Sequence, residues 1–470
     1  MSFSEILGKV PDYREYLTVD ELNASTKELA KDHPDTVKVL DIGKSRAGES
    51  ITCLRIGEGK HRALIYAFPN PEEPVGGVLL DYLSRALAED RSLLKELDYT
   101  WYLIKCIDPD GTRLNEGFLK GPFTLLNFVR NYYRTPGNLD GEGNFPYRYG
   151  DLDFNNPVPE TRALMKIMDG VSFDFISSLH DMKWGGMNWQ ASEPCPPLYA
   201  PLHQLAKENN VPLRKRPGVF LASGIQPSQW FTPVRNYVKL KAAGKGPLEE
   251  INGSFTFEYA QLFNPQVFMM VPECQRWYDP RSWDDRPSDT PMGDLYKYYV
   301  HQVPSEAGRF MLSLYEKAEK LLIHPSPFLE MIRSLINGVR KNVVHVGDPQ
   351  PVLTKKQLER SATIAEKIES EGRADLYRMF NLGAMIRMFD YELARKGREA
   401  TLESCKAQAE SKLKEWNEFF EKKYDCKAYP IRDLIRINLG TILYSVEYAK
   451  WRKTWNILEG MPYVPNTHGP

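Results

Sequence analysis

Four ionisable side chains stand at predicted strand ends or inside a predicted strand, where α/β proteins place much of their chemistry. Glu72 and Glu73 lie in the turn 67–77, between an apolar run typical of a buried strand and a segment with helical spacing. His180 ends one predicted strand, and Glu258 lies inside another. Each has an ordinary structural explanation when taken singly, since acidic residues suit a first helical turn. Their joint occurrence at strand ends and inside a strand favours a functional site over four separate structural roles.

Alternating strand and helix patterns position these residues. The strand patterns cover 36–43, 51–57, 62–68, 100–108, 173–181 and 254–260, and the main helix patterns between them cover 75–88, 157–170 and 197–209. Strands that alternate with helices predict an α/β fold with a mixed, mostly parallel sheet flanked by helices. The stretch 110–156 shows neither pattern and predicts a functional loop system.

A helical C-terminal region follows the predicted sheet. From about residue 326 helical spacing dominates, and Leu402, Cys405, Ala409 and Leu413 fall on one helix face. We therefore predict two domains, an α/β domain over 1–325 and an all-α domain over 326–470.

Composition argues against several classes of protein. The formal net charge of −1 does not suit a nucleic-acid-binding protein held by bulk electrostatics. No apolar run is long enough to span a bilayer, and the N-terminus lacks the apolar core of a signal peptide. The six cysteines are scattered without a Cys-x-x-Cys pair, which predicts reduced thiols. We therefore expect a cytoplasmic protein that contacts neither nucleic acid nor membrane.

Five motifs, in this order along the chain, resemble those of the zinc carboxypeptidase family over roughly residues 10 to 320. They are Glu73 followed by Pro-Val-Gly-Gly, Asp108-Pro-Asp-Gly111, Pro157-Val-Pro-Glu-Thr161, Leu179-His180 and Thr256-Phe-Glu258. In that family a strand-to-helix turn carries His-x-x-Glu as two zinc ligands, a later strand carries the third ligand, and another carries the catalytic Glu. The order of the motifs, rather than any one of them, carries the resemblance.

The resemblance implies a metal-dependent hydrolase that cleaves a peptide or amide bond next to a free carboxylate, with one Zn²⁺ per chain. Glu73 and His180 would bind the zinc, which activates a water molecule. Glu258 would act as the general base that takes the proton of that water. Arg113, which follows the Asp-Pro-Asp-Gly segment, would stabilise the developing oxyanion.

The resemblance also implies residues that bind the substrate. Arg130 lies in a segment similar to the family's Asp-x-Asn-Arg-Asn motif and would clamp the terminal carboxylate of the substrate. Asn131, the next residue of that motif, and Tyr237 are further substrate-binding candidates.

The chain departs from the family pattern at the first ligand position. Asn70 stands where the family has a histidine, three residues before Glu73, and the Asp that orients this histidine falls on Asn127. A neutral amide oxygen is a poor zinc ligand. The metal could be held by an unorthodox third partner, it could be bound weakly or be harder than zinc, or the chain could be a catalytically silent binding or regulatory protein. The nearest candidates for the third partner are Glu72, Asp181 and Asn70.

Overall fold

The structure, a computed structural model, describes residues 3–149, 152–215, 225–227, 231–234, 252–341 and 353–452. Their strands are β1 (Val37–Lys44), β2 (Ser50–Ile56), β3 (His61–Ala67), β4 (Tyr99–Ile104), β5 (Tyr147–Tyr149), β6 (Leu152–Phe154), β7 (Phe175–Trp184), β8 (Asn188–Ala191), β9 (Ile225–Pro227), β10 (Phe268–Tyr278), β11 (Pro287–Pro291), β12 (Ser361–Thr363) and β13 (Lys427–Ala428).

The helices of the same residues flank these strands. They are α1 (Phe3–Gly8), α2 (Val19–Asp32), α3 (Val75–Glu89), α4 (Arg91–Leu97), α5 (Pro109–Leu119), α6 (Leu125–Asn131), α7 (Pro159–Met168), α8 (Pro196–Glu208), α9 (Thr256–Ala260), α10 (Met292–Lys297), α11 (Val303–Ala318), α12 (Pro327–Arg340), α13 (Lys355–Glu359), α14 (Ile364–Lys396), α15 (Ala400–Lys423) and α16 (Ile431–Trp451). None of the helices described is both long enough and apolar enough to cross a bilayer.

The main sheet has nine strands, in the order β1-β2-β4-β3-β7-β10-β8-β9, with β13 paired to β10. Strands β4, β3, β7 and β10 pair in parallel, and so do β8 and β9. The pairs β1–β2, β2–β4, β8–β10 and β10–β13 are antiparallel. The predicted α/β class with a mixed sheet and flanking helices is therefore confirmed, but the sheet is not mostly parallel, since four of its strand pairs are parallel and four are antiparallel.

The β3–turn–α3 unit forms where the apolar pattern predicts it. The last five residues of β3 are buried, as expected for a strand covered on both faces. A Cβ atom on Gly76 would lie 2.7 Å from the Cβ of Leu179 and 3.0 Å from that of Ala67. Glycine at this position thus lets α3 approach β3 and β7 closely, and it brings the turn up to the strand that carries His180.

Two parts of the sequence fold differently from the predictions. The segment predicted as a strand over 254–260 contains the helix α9, and the strand that pairs with β7 is β10 instead. The stretch predicted as a loop over 110–156 begins with the helices α5 and α6, so that its irregular part starts only after Asn131. Asp108 caps α5 by accepting a hydrogen bond from the Gly111 amide, and Pro109 occupies the first helical turn.

The C-terminal helices pack directly on the sheet and its helices. Helix α16 contacts β10, α3 and α8, while α14 contacts α6, α12 and α15. A single hydrophobic cluster joins side chains from both regions, among them Trp101, Leu79, Met385 and Leu443. Two short strands, β12 and β13, interrupt the region that the sequence predicts as all-α. The division into two domains stays a prediction.

Candidate functional site

Two buried carboxylates occupy the turn between β3 and α3. The Glu72 side chain has no exposed surface, and that of Glu73 is 3% exposed. The turn is closed by a hydrogen bond from the Glu73 amide to the carbonyl oxygen of Asn70. Because a buried carboxylate is costly without a charged or hydrogen-bonding partner, the site depends on what surrounds this pair.

Lys183 and Arg134 neutralise the two carboxylates. The Nζ atom of Lys183, which is 1% exposed on β7, lies 2.9 Å from Glu72 Oε1 and 2.7 Å from Glu73 Oε1. The Nη1 atom of Arg134 lies 2.9 Å from Glu72 Oε1 and 3.6 Å from Glu73 Oε1. Burial would lower the pKa of Lys183, but Glu72 and Glu73 outweigh burial and raise it. We call these four residues the four-charge cluster.

His180 lies beside this cluster and bridges two carboxylates. Its Nδ1 atom is 2.8 Å from Glu73 Oε2, and its Nε2 atom is 3.1 Å from Glu142 Oε2. The hydroxyl group of Tyr66 donates a hydrogen bond of 2.8 Å to the other oxygen of Glu142. Burial alone would lower the pKa of His180, but Glu142 and Glu73 raise it well above its ordinary value. In turn, Lys183 and His180 hold the pKa of Glu73 below its ordinary value despite burial.

Asn70 completes the surroundings of Glu73. Its amide nitrogen lies 3.0 Å from Glu73 Oε2 and 3.0 Å from His180 Nδ1. The backbone amide of Asp181 also donates to Glu73 Oε2, at 3.3 Å. Both oxygens of Glu73 are therefore taken by donors, Oε1 by the cations and Oε2 by an amide, an imidazole and a backbone N–H.

The residues present do not fit the zinc site that the resemblance implies. A catalytic zinc site takes three protein ligands with free lone pairs and keeps a fourth position open. Asn70 directs an amide nitrogen at the ligand oxygen of Glu73, and Lys183 brings a positive charge to its other oxygen. Across the described part of the chain, no group of three or more His, Cys, Asp and Glu side chains is arranged to hold a metal ion.

The other candidate third ligands are also held by protein groups. Glu72 belongs to the four-charge cluster. Asp181 is buried, lies 2.8 Å from Arg276 Nε, and accepts a hydrogen bond from the Val75 amide at the start of α3. Asp181 thus links β7 to α3 and β10.

Arg113, the residue predicted to stabilise an oxyanion, is engaged by two carboxylates outside the turn. Its guanidinium group forms ion pairs with Asp20, at 2.7 Å, and with Glu49, at 2.9 Å. Hydrogen bonds to these two carboxylates raise the pKa of Arg113. The chain uses Arg113 to join α2 and the β1–β2 loop to α5, because those elements carry its partners.

The structure places Arg130, the predicted carboxylate clamp, on the surface of the protein. Arg130 is exposed in the last turn of α6, and Asn131 donates hydrogen bonds to the carbonyl and side-chain oxygens of Asn127. Arg134, which follows the end of this helix, reaches Glu72 and Glu73 instead. Both arginines follow an asparagine by three positions, in Asn127-Phe-Val-Arg130 and Asn131-Tyr-Tyr-Arg134. Tyr237 lies outside the described residues.

The predicted general base is not on a strand. Glu258 lies in α9, is fully buried, and accepts a hydrogen bond of 3.3 Å from the Val234 amide. The glutamate that does lie on a strand next to β7 is Glu273 of β10, which is directly in register with His180. Gln190 of β8 donates a hydrogen bond of 2.9 Å to it. Glu273 therefore lies inside a strand of the sheet, which is what the sequence predicts for Glu258.

Lys183 and Glu142 are site residues that the sequence analysis missed. Lys183 falls two residues beyond the predicted end of its strand, because the predicted apolar run stops at Asp181. β7 in fact continues to Trp184. Glu142 lies in the irregular segment after α6, where only its tertiary contacts with Tyr66 and His180 mark it. The sequence does offer one signal for Lys183, its position three residues after His180. A charged residue near the end of that strand is expected to lie at the sheet edge where the Glu72–Glu73 turn also lies.

Helix α14 holds two parts of the site in place. Arg387 donates hydrogen bonds to the carbonyl oxygens of Asn131 (2.6 Å), Tyr132 (3.1 Å) and Leu114 (2.7 Å). Glu369 accepts a hydrogen bond of 3.0 Å from the amide of Gly186, in the turn after β7. The loop that presents Arg134 and the strand that presents Lys183 are thus both attached to the same C-terminal helix.

Comparisons with known proteins agree with the resemblance. Residues 22–218 match the family model described as zinc carboxypeptidase, and this segment contains the four-charge cluster, Asn70, Glu142 and His180. Zinc carboxypeptidase A 1 of Anopheles gambiae is 26% identical over 107 residues, which are 21% of this chain and 24% of that protein. The chain thus spans about a quarter of the length of the curated relative that it matches.

Two solved structures give weaker similarities. The carboxypeptidase A from Helicoverpa armigera is 17% identical, with a TM-score of 0.36 and coverage of 58% of this chain and 69% of that one. The metallo-carboxypeptidase from Burkholderia cenocepacia is 13% identical, with a TM-score of 0.34 and coverage of 55% and 60%. The family match confirms the predicted resemblance over residues 22–218 and supports a metallopeptidase-type domain there.

Proposed function

Because residues 22–218 belong to the zinc carboxypeptidase family, we propose that this chain binds a peptide or small amide through the ligand's free carboxylate, and that it does so without a catalytic zinc ion. The observation that carries the proposal is the partial exposure of the Arg134 side chain. Arg134 is a cation of the four-charge cluster that reaches solvent, because 41% of its side chain is exposed while Lys183 is buried.

Arg134 is suited to clamp a carboxylate. Its Nη1 atom is anchored on Glu72 at 2.9 Å, which fixes the plane of the guanidinium group. An anchored guanidinium group can offer its other N–H groups as a bidentate pair, and less side-chain entropy is lost when the ligand binds. The backbone on either side is also held, since Arg387 binds the carbonyl oxygen of Tyr132 and Thr135 donates a hydrogen bond of 2.6 Å to Asp108.

The test compares two forms of one ligand and two arginines. The probe is an N-acylated dipeptide with a free C-terminal carboxylate, titrated calorimetrically beside its C-terminal amide. We expect the acid to bind the wild type and the Arg134→Gln variant to bind it about 10- to 100-fold more weakly, as follows from losing a charge-assisted hydrogen bond. Arg130→Gln is the matched control, because Arg130 is exposed four residues earlier and should leave the affinity unchanged.

Equal binding of acid and amide, or unchanged affinity in Arg134→Gln, would contradict the proposal. Circular dichroism and thermal unfolding must accompany the titration, because the substitution leaves Glu72 and Glu73 with Lys183 as their remaining cluster cation. Arg134→Lys keeps the charge but not the planar fork, so an intermediate affinity would assign part of the binding to bidentate geometry.

A second candidate function is metal-dependent hydrolysis of a peptide or amide next to a free carboxylate. It is favoured by the family match and by the convergence of Asn70, Glu73 and His180, whose facing atoms lie 2.8 to 3.0 Å apart. Elemental mass spectrometry on protein purified without chelators separates the two functions. About one zinc per chain, lost in His180→Ala together with peptide cleavage, would favour the hydrolase.

A cytoplasmic location also remains a proposal. All six cysteines are free thiols, and four of them are buried. Reduced buried thiols agree with a reducing compartment, although they do not require one. Fractionation of the source cells, followed by detection of the chain, tests the location.

A further inference from the structure

We infer that the ammonium group of Lys183 takes the electrostatic place that a divalent metal ion has in a zinc carboxypeptidase site, an inference that rests on the metal-free form of the proposed function. The ammonium group lies within 3 Å of both turn carboxylates, at 2.9 Å from Glu72 and 2.7 Å from Glu73. It comes from the strand that carries His180, three residues further along. Lys183 is thus an internal cation at the turn where the family binds its metal.

The charges of the four-charge cluster are already balanced. Glu72 and Glu73 bring two negative charges, and Lys183 and Arg134 bring two positive charges. Each carboxylate lies within 4 Å of both cations. A divalent ion added to this cluster would leave it with two excess positive charges in a buried place, where an uncompensated charge is strongly unfavourable. A catalytic zinc site of two histidines and one glutamate differs from this cluster, because its ligands carry one net negative charge before the metal binds.

The hydrogen bonds of Glu73 lead to the same conclusion. Its Oε1 atom faces Lys183, and its Oε2 atom faces the Asn70 amide nitrogen, His180 Nδ1 and the Asp181 amide. A metal would have to displace one of these donors. Asn70 and Lys183 therefore act together: the amide removes a metal ligand, and the ammonium group supplies the charge that the metal would have brought.

Replacement of Lys183 by methionine tests the inference, because methionine keeps a similar length and removes the charge. Wild type, Lys183→Met and Lys105→Met are treated with EDTA, desalted, and unfolded thermally with and without ZnCl₂. Lys105, which directly follows β4, is the matched control. It is also buried (4% exposed), and it lies 2.8 Å from the carboxylate of Asp81, which is outside the site. Both substitutions should lower the Tm, because Lys183→Met leaves the buried Glu72 and Glu73 with one cation fewer and Lys105→Met does the same to the partly buried Asp81.

Only Lys183→Met should recover with metal. We expect zinc at roughly a hundredfold excess over its Kd to raise the Tm of this variant by about 3 °C, and elemental mass spectrometry after desalting to find zinc near one per chain. Wild type and Lys105→Met should show neither effect. A folded Lys183→Met protein that ignores zinc would overturn the inference, and so would stoichiometric zinc in the wild type.

A second variant covers the case in which Lys183→Met does not fold. Glu72→Gln/Lys183→Met removes one charge of each sign, so it should fold and remain indifferent to zinc. Zinc binding by this balanced variant would contradict the charge argument. Failure of this inference can be told apart from failure of the proposed function. If Lys183→Met does not bind zinc while Arg134→Gln still weakens carboxylate binding, only this inference is refuted.

Discussion

Replacing Arg387 with methionine tests whether the C-terminal helices build the ligand site or merely accompany it. Arg387 on α14 donates to three backbone carbonyl oxygens, those of Asn131, Tyr132 and Leu114, at 2.6 to 3.1 Å. Its guanidinium group also lies 4.3 Å from the ring centroid of Phe328. These contacts fix the end of α6 and the start of the loop that presents Arg134.

The expected loss of stability follows from those contacts. Three hydrogen bonds from a charged donor, at about 1.5 to 3 kcal/mol each, give a gross contribution of about 4.5 to 9 kcal/mol. Burial of the guanidinium group works against it, as shown by a pKa lowered to about 10, so we expect a net loss of about 3 kcal/mol in the free energy of unfolding. The affinity for a carboxylate peptide should fall as well, because the backbone before Arg134 loses its support.

Urea unfolding followed by circular dichroism measures the first effect, and titration with the N-acylated dipeptide measures the second. Arg395→Met is the control on the same helix, since Arg395 is exposed and donates only to the Tyr391 carbonyl, at 3.3 Å, among the contacts described. The reasoning would be refuted by a loss below about 1 kcal/mol with unchanged affinity, which is the range of an ordinary surface substitution.

Two further predictions concern pH and metal binding. Burial raises the pKa of Glu369 from 4.5 to about 8. Between these pH values the folded chain therefore binds more protons than the unfolded chain. We expect the free energy of unfolding to fall by several kcal/mol as the pH rises from about 5 to 8. Urea unfolding at both pH values should show this fall in the wild type and a flatter response in Glu369→Gln. Asn70→His alone should leave the protein without stoichiometric zinc in elemental analysis, because Lys183 still neutralises the turn. The double variant Asn70→His/Lys183→Met should bind zinc. Zinc in the single variant would show that Asn70, rather than Lys183, mainly prevents zinc binding.

The parts of the fold that the sequence predicts correctly have local causes. The β1–β2 hairpin, β3, α3 and β7 follow from apolar spacing and from the prolines and glycines between the elements. The contact between Glu73 and His180 follows from a more general rule, since carboxyl ends of neighbouring parallel strands meet at one edge of a sheet. These predictions need no knowledge of distant partners.

The exchange of Glu258 and Glu273 has a tertiary cause. The run 254–260 has the β-branched and aromatic composition of a strand, but Thr256 hydrogen-bonds with Tyr66 and the segment forms one helical turn there. The run 268–278 contains Pro272 and the polar or charged residues Glu273, Gln275 and Arg276, which argue against a central strand. Pairing with β7 and β8 on its two sides overrides that local preference.

The site itself shows why a family match fixes the framework and leaves the chemistry open. The match covers residues 22–218, which include the strands β1 to β4, β7 and β8 and the glycine-rich start of α3, and it is obtained although position 70 is an asparagine. The charge at the end of the turn depends on single side chains. Asn70 donates to Glu73, Lys183 and Arg134 balance the charges of the two carboxylates, and Arg134 is partly exposed to solvent. We therefore propose that an internal cation takes the place of the metal at this turn, and that the chain recognises the carboxylate of its ligand rather than a scissile bond.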